Sequence, residues 1–173
     1  MLRAINVGSG QRPFHSTPAI KWINMDINLG WKPDVVGDWN DLGFIKTGTM
    51  DFVVSHHSLE HVGCGEGDGF IREAHRVLKP GGSLLVFMPD MKALAQRWLT
   101  RQIDDYTFAV NTYGAFMGDE SDRHKWLYTF ESLSDTLRKC GNWQRVQRFN
   151  WIDIPGASLA RDWWILAVEA VKV

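Results

Sequence analysis

Apolar residues fall into short strand-like runs at residues 2–7, 21–25, 34–36, 50–55, 83–88, 145–150 and 163–170. Phe52-Val53-Val54 and Leu84-Leu85-Val86-Phe87 are apolar at consecutive positions, the mark of strands covered on both faces, as in a parallel sheet. Between residues 69 and 79 the period changes. Phe70, Ile71, Ala74, Val77 and Leu78 share one helical face. Asp68 is placed to cap that helix, and Pro80-Gly81-Gly82 to stop it. Further helices are expected from 91 to about 102 and over 130–140, the latter between Thr129 as N-cap and Gly141. Strands interleaved with helices predict an α/β fold.

The connections are shorter than that fold normally uses. Few residues separate Gly10 from the second strand, and Pro13 and Pro18 are among them, which leaves no room for a full crossover helix. Asp26 to Asp34 is too short as well. The first half of the sheet is therefore expected to lack helices and to leave one face thinly covered. Residues 91–128 or a second copy of the chain, as a homodimer, are expected to cover it.

The first strand runs straight into Gly8-Ser9-Gly10, and the second ends in Asp26. A glycine turn lets a ligand approach the backbone. An acid at the next strand's tip can accept from both hydroxyls of a ribose. The chain thus opens with the parts of a nucleoside crevice.

Composition narrows the partners. The 173 residues suit one domain with a real core, and 45% apolar content is ordinary for a globular protein. A net charge of −1 supplies no basic field for nucleic acid or an anionic membrane, and Arg145 and Arg148 read as a solvated strand face. Cys64 and Cys140 make no disulfide framework, so a reducing, cytoplasmic setting is expected. No leader and no bilayer-spanning run is read. The nine tryptophans read as packing residues.

Three segments carry a resemblance: Asp51-Phe52-Val53-Val54-Ser55, Leu59-Glu60-His61-Val62, and Glu73-Ala74-His75-Arg76-Val77-Leu78-Lys79-Pro80-Gly81-Gly82. With Asn6-Val7-Gly8-Ser9-Gly10 and Gly37-Asp38, the stretch through Pro89 resembles the class I S-adenosylmethionine-dependent methyltransferases, most of all their small-molecule type 11 branch. The resemblance implies a Rossmann-like sheet of about seven mostly parallel strands with an antiparallel last strand. It implies S-adenosyl-L-methionine as cofactor. Gly8, Ser9 and Gly10 would pass under its methionine, Asp26 would hold the ribose and Ile27 would pack on adenine. Asp38 would accept from the adenine amino group with Trp39 beside the ring, and Ser55 and His56 would stand at the methionine end. Asn6 stands where many relatives carry an acid. The missing helix after the turn is tolerable, because this cofactor has no phosphate for a helix N-terminus to face. Arg12 or Gln11 can pair its carboxylate.

Methyl transfer from a sulfonium needs mainly alignment, with a general base only for acceptors that must lose a proton. His57 is the first candidate base, followed by His56 and Asp90, although His56 can serve through its backbone alone and Asp90 as a helix cap. His57-Ser58-Leu59-Glu60-His61 formally matches the H-x-x-E-H zinc motif, with Cys64 nearby. The resembled family carries Leu-Glu-His here without metal, so no metal is assigned. Residues 106–128 are expected to roof the acceptor site, offering Tyr113, His124, Lys125, Trp126 and Tyr128 to a small-molecule or glycan-like acceptor. Ser-His-His-Ser after the fourth strand, where Asn-Pro-Pro-Tyr would mark nucleobase amino methylation, argues against that branch. A nicotinamide oxidoreductase would want a third glycine and the missing helix. A non-catalytic, cofactor-binding interaction subunit is the remaining alternative.

Overall fold

The computed structural model describes residues 1–115, 120–159 and 161–173. Strands β1 (Leu2–Val7), β2 (Ile20–Asp26), β3 (Val35–Val36), β4 (Met50–His56), β5 (Leu78–Pro89), β6 (Trp143–Arg148) and β7 (Ile165–Lys172) form one seven-stranded sheet in the order β3-β2-β1-β4-β5-β7-β6. The first five pair in parallel, and β7 runs antiparallel to both β5 and β6. The expected Rossmann-like architecture is thus present. Helices α1 (Asp68–Val77), α2 (Met91–Leu99), α3 (Asp105–Tyr113) and α4 (Phe130–Cys140) complete it.

Several boundaries differ from the sequence reading. Helix α1 ends at Val77, and Pro80-Gly81-Gly82 lies within β5. There the pairing with β4 skips from Met50–Leu78 to Phe52–Ser83. A Cβ on Gly82 would stand 3.0–3.1 Å from the carbonyl oxygens of Lys79, Met50 and Asp51, so the irregular strand packs backbone on backbone. Asp68 is the first helical residue rather than the cap, and its carboxylate takes Lys139 of α4 at 2.9 Å. Helix α2 stops at Leu99, and α3 was not foreseen, since it buries no residue and has no apolar stripe. Its start is fixed instead by polar and ring contacts. Asp104 accepts from the Thr107 amide (2.7 Å), Trp98 stacks on Phe108 (centroids 4.6 Å), and the Trp98 indole donates to Asp105 (2.7 Å). Helix α4 has the expected span, and Thr129 forms a capping box with Ser132.

One sheet face packs on α1 and α4 through Ile5, Val53, Leu84 and Val168 from the strands and Phe70, Ala74, Leu133 and Leu137 from the helices. The opposite face, read as thin, is covered within the chain by elements other than residues 91–128. Ala4, Trp22, Val54, Leu85 and Phe87 bury against Phe14, Phe149 and Ile154, with Trp151 and Leu159 at the margin. The cover is thus the loop after β1 and the segment between β6 and β7, and residues 91–128 contribute nothing to this cluster among the described residues. Aromatic side chains reach the sheet without a helix because each buries a large area from a single backbone position.

The helix-free β1–β2 loop is held by one asparagine. Asn24, buried on β2, accepts from the Phe14 amide (2.7 Å) and donates to the Phe14 carbonyl (3.0 Å), with Asn6 of β1 donating to the same Asn24 oxygen (3.3 Å). The loop is also tied to the β6–β7 segment, by the His15 amide on the Gly156 carbonyl (2.9 Å). The Trp22 indole, on β2, donates to Pro155 (2.9 Å). Replacing Asn24 by Ala strands the Phe14 amide and carbonyl. The expected loss is about 1–3 kcal/mol, read as a lower midpoint in urea unfolding. An unchanged midpoint would show that the loop is held without this clamp.

Candidate functional site

The strand order reverses between β1 and β4, and the carboxyl ends of these strands are where an open α/β sheet forms its ligand crevice. Gly8 and Gly10 adopt φ of 69° and 49°. The Gly8 and Ser9 amides donate to the Met25 carbonyl (2.9 and 3.0 Å), which folds the turn over the tip of β2. A Cβ on Gly8 would stand 2.5 Å from the Ser58 Cβ, so only glycine fits. Above Gly10 the corresponding position is open to at least 4 Å, a cradle in which a ligand can touch the backbone. Ser58 closes the crevice floor, donating to the Val7 carbonyl (3.0 Å) and sharing a hydrogen bond with Ser55 (2.8 Å).

Asp26 does more than the sequence reading gave it. One carboxylate oxygen accepts from the Gly10 amide (2.7 Å) and the other from the Asn28 amide (2.8 Å), so the acid shapes the turn itself. Each oxygen keeps a second lone pair for a ligand hydroxyl. Ile27 beside it is 74% exposed, an apolar surface with no partner in the core. Asp38 accepts from the Asn40 amide with one oxygen (2.8 Å). Trp39 stacks on Phe70 at 5.0 Å, so one ring face belongs to the core.

At the end of β4 the two histidines part company. The His56 ring is buried against Phe14, Phe87 and His57. Burial, with the charges of His57 and Arg12 outweighing that of Glu60, pushes it down to about 4. His57 has a φ of 55°, a left-handed conformation that a non-glycine residue holds only under constraint. Its amide donates to the Phe87 carbonyl (2.8 Å), and its Nδ1 lies 3.1 Å from Oε1 of the fully buried Glu60. Burial works to raise the Glu60 carboxyl. The hydrogen bond from His57 and the charges of His57, His61 and His124 outweigh burial and hold it below the usual carboxylate range. Asp90 caps α2, accepting from the Lys92 and Ala93 amides (3.0 and 3.1 Å), while its other oxygen meets Arg148 at 3.3 Å.

The H-x-x-E-H segment is not a helix with two histidines on one face. It is a strand end followed by a single 3₁₀ turn, Leu59–His61. Glu60 there meets a residue no local spacing could reveal. His124 stands beside His61 (ring centroids 5.0 Å), and the Lys125 amide donates to the Glu60 carbonyl at 2.7 Å. Of the other expected roof residues, Tyr128 is in the main core, where burial pushes its hydroxyl up to about 12. Tyr113 and Trp126 are exposed. Residues 116–119 of that segment lie outside the described residues. Arg145 pairs with Glu169 at 3.4 Å, as a strand-face residue does. No helix among the described residues is long and apolar enough to cross a membrane.

A family model described as a methyltransferase domain matches residues 16–86. Solved structures share the fold. An S-adenosylmethionine-dependent methyltransferase from Archaeoglobus fulgidus superposes with a TM-score of 0.67 at 17% identity, over 99% of this chain and 86% of that one. One from Thermotoga maritima gives 0.60 at 20% identity, over 99% and 82%. A complex of the Trm112 methyltransferase activator with a methyltransferase from Haloferax volcanii gives 0.56 at 16% identity, over 98% and 81%. No curated protein sequence matches the chain. The fold is that of the class I S-adenosylmethionine-dependent methyltransferases, and the resemblance read from the sequence stands. That fold and the domain match imply S-adenosylmethionine as the cofactor.

The buried pair predicts acid sensitivity in two stages. His56 binds a proton near 6.5 when unfolded and near 4 when folded. Stability is therefore full above pH 6.5 and falls progressively towards pH 4, by about 3 kcal/mol. Glu60, with its folded value lowered from 4.5, adds a loss only as pH drops below 4.5. Urea unfolding at pH 7, 5.5 and 4.5 checks this, and His56→Leu is expected to flatten the first stage. An equally steep first stage in the variant would assign it to another group.

Proposed function

We propose that this chain transfers a methyl group from S-adenosylmethionine to a small-molecule or glycan-like acceptor. The observation that carries the reading is Asp26, which grips the Gly10 amide at the strand-order switch while keeping lone pairs for a ribose. Gly8, Ser9 and Gly10 would hold the methionine part over the open position above Gly10. Ile27 offers apolar surface to the adenine, and Asp38 keeps one oxygen for its amino group. Trp39 would stand beside the ring on the face that Phe70 leaves. Ser55 and His56 wall the methionine end, and Arg12, close enough to His56 to act on its proton, supplies a cation for the carboxylate. When bound, the cofactor supplies an activated methyl and a neutral thioether leaving group.

What the protein adds is alignment, worth roughly 7–11 kcal/mol where reacting atoms are held in line. His57 can add proton transfer. Its Nδ1–H donates to the Glu60 carboxylate, which leaves Nε2 bare to take a proton from an acceptor hydroxyl or amine. His56, held neutral by burial, is a wall rather than a proton carrier at pH 7. Asp90 keeps both oxygens on α2 and Arg148 and drops behind His57 as a candidate base. The segment 91–128 would cover the acceptor, since its Lys125 and His124 stand next to Glu60.

A second reading rests on a separate observation. Ile27, Leu29, Trp31, Val36 and Phe44 are all exposed in the sequence around β3, the edge strand of the sheet. A partner subunit covering them would complete the cofactor crevice from outside, and the Haloferax volcanii structure holds a methyltransferase together with an activator.

Calorimetric titration separates these readings. S-adenosylmethionine and S-adenosylhomocysteine are expected to bind and NAD to give no heat, with Asp26→Ala weakening the first two at least tenfold. No binding of either adenosyl-sulfur ligand by the isolated chain would favour the partner-completed or non-catalytic reading. With an acceptor in hand, His57→Ala is expected to lower turnover about 10²–10⁴-fold while leaving cofactor affinity unchanged. Unchanged turnover would show that alignment alone suffices.

A further inference from the structure

We propose that Glu60, His61 and His124 form a binding site for one divalent transition-metal ion, independently of the methyl-transfer reading. One ligand atom from each of the three lies within 4.8 Å of the others. Each is already oriented by a partner of the kind that metal ligands use. The His61 Nδ1–H donates to the Arg123 carbonyl (3.2 Å) and the His124 Nδ1–H to the Asn111 carbonyl (3.1 Å). A carbonyl can only accept, so in its neutral form each ring carries its proton on Nδ1 and presents a bare Nε2 lone pair. Glu60 uses Oε1 for His57, while Oε2 is buried and has no hydrogen-bond partner. An anionic oxygen hidden from water with nothing to accept from is a costly arrangement, and a cation beside it removes that cost.

The donor set selects the ion. Two imidazoles and one carboxylate suit zinc and its neighbours rather than magnesium or calcium, which prefer all-oxygen shells. Three protein ligands leave a position open for water or another oxygen or nitrogen ligand. Tetrahedral zinc needs its ligand atoms roughly 3.3 Å apart, so the three groups would draw closer together on binding the ion. The three ligands come from two distant stretches of chain, joined by the Lys125 and Trp126 amides on the Glu60 carbonyl (2.7 and 3.2 Å). The ion would thus fasten the segment around residue 124 to the end of β4, next to His57.

The test uses the full, untagged chain, stripped with a chelator and dialysed. Cobalt(II) alone is the probe, because its visible absorption reports low-symmetry nitrogen and oxygen coordination. One equivalent of cobalt per chain is expected, displaced by zinc. His61→Ala and His124→Ala are each expected to weaken it at least tenfold. His75→Ala, outside the cluster, should leave it unchanged. Circular dichroism verifies that each variant is folded, and the two histidine variants avoid disturbing the buried Glu60. Absence of stoichiometric cobalt uptake by the parent chain, or uptake that survives both cluster variants, would overturn the site.

Discussion

The structure turns on how a parallel sheet starts without its first crossover helix. In a doubly wound fold that helix both covers the sheet and fixes the glycine turn. Here the buried carboxamide of Asn24 and the carboxylate of Asp26, two residues apart on β2, divide the work. Asn24 pins the loop at Phe14 with a pair of hydrogen bonds, and Asp26 pins the turn at Gly10. Both side chains are largely buried, so their bonds compete little with water. Phe14 then lies flush in the second core, beside Trp22 at 4.9 Å.

The same economy shapes the far side of that core. The segment between β6 and β7 brings Phe149, Trp151 and Ile154 onto the sheet, with Phe149 and Trp151 both in ring contact with Phe87. The unusual tryptophan content finds part of its reason here. Trp22 fills the core and still reaches a backbone carbonyl of the covering loop with its indole N–H. The face is covered by irregular chain, in which the Phe14 amide and carbonyl and the Pro155 carbonyl are met by side chains of β2.

Charge at the end of β4 is arranged as a gradient of burial. His56 is sealed among rings and kept neutral, His57 is half-buried on a strained backbone, and Glu60 lies wholly inside with histidines around it. A single carboxylate thus organises the proton of His57 and the electrostatics of His61 and His124. The connection between β4 and α1, met by the segment around His124, thus holds a concentration of polar chemistry.

The sequence by itself determined the strands, the glycine turn, the acid at Asp26, helix α4 and the domain type. These are local matters, because periodicity, turn residues and motif order act over a few neighbours. It misplaced the end of α1, where glycines that read as a stop belong to an irregular strand whose need for them lies in contacts with β4. It missed α3, which has no buried stripe to betray it. What covers the second face, the double duty of Asp26, and the meeting of Glu60 with His124 were decided only by the tertiary structure. Each depends on residues far apart in the chain being brought together. A hydrogen bond or an ion-binding geometry formed that way leaves no period or spacing in the sequence.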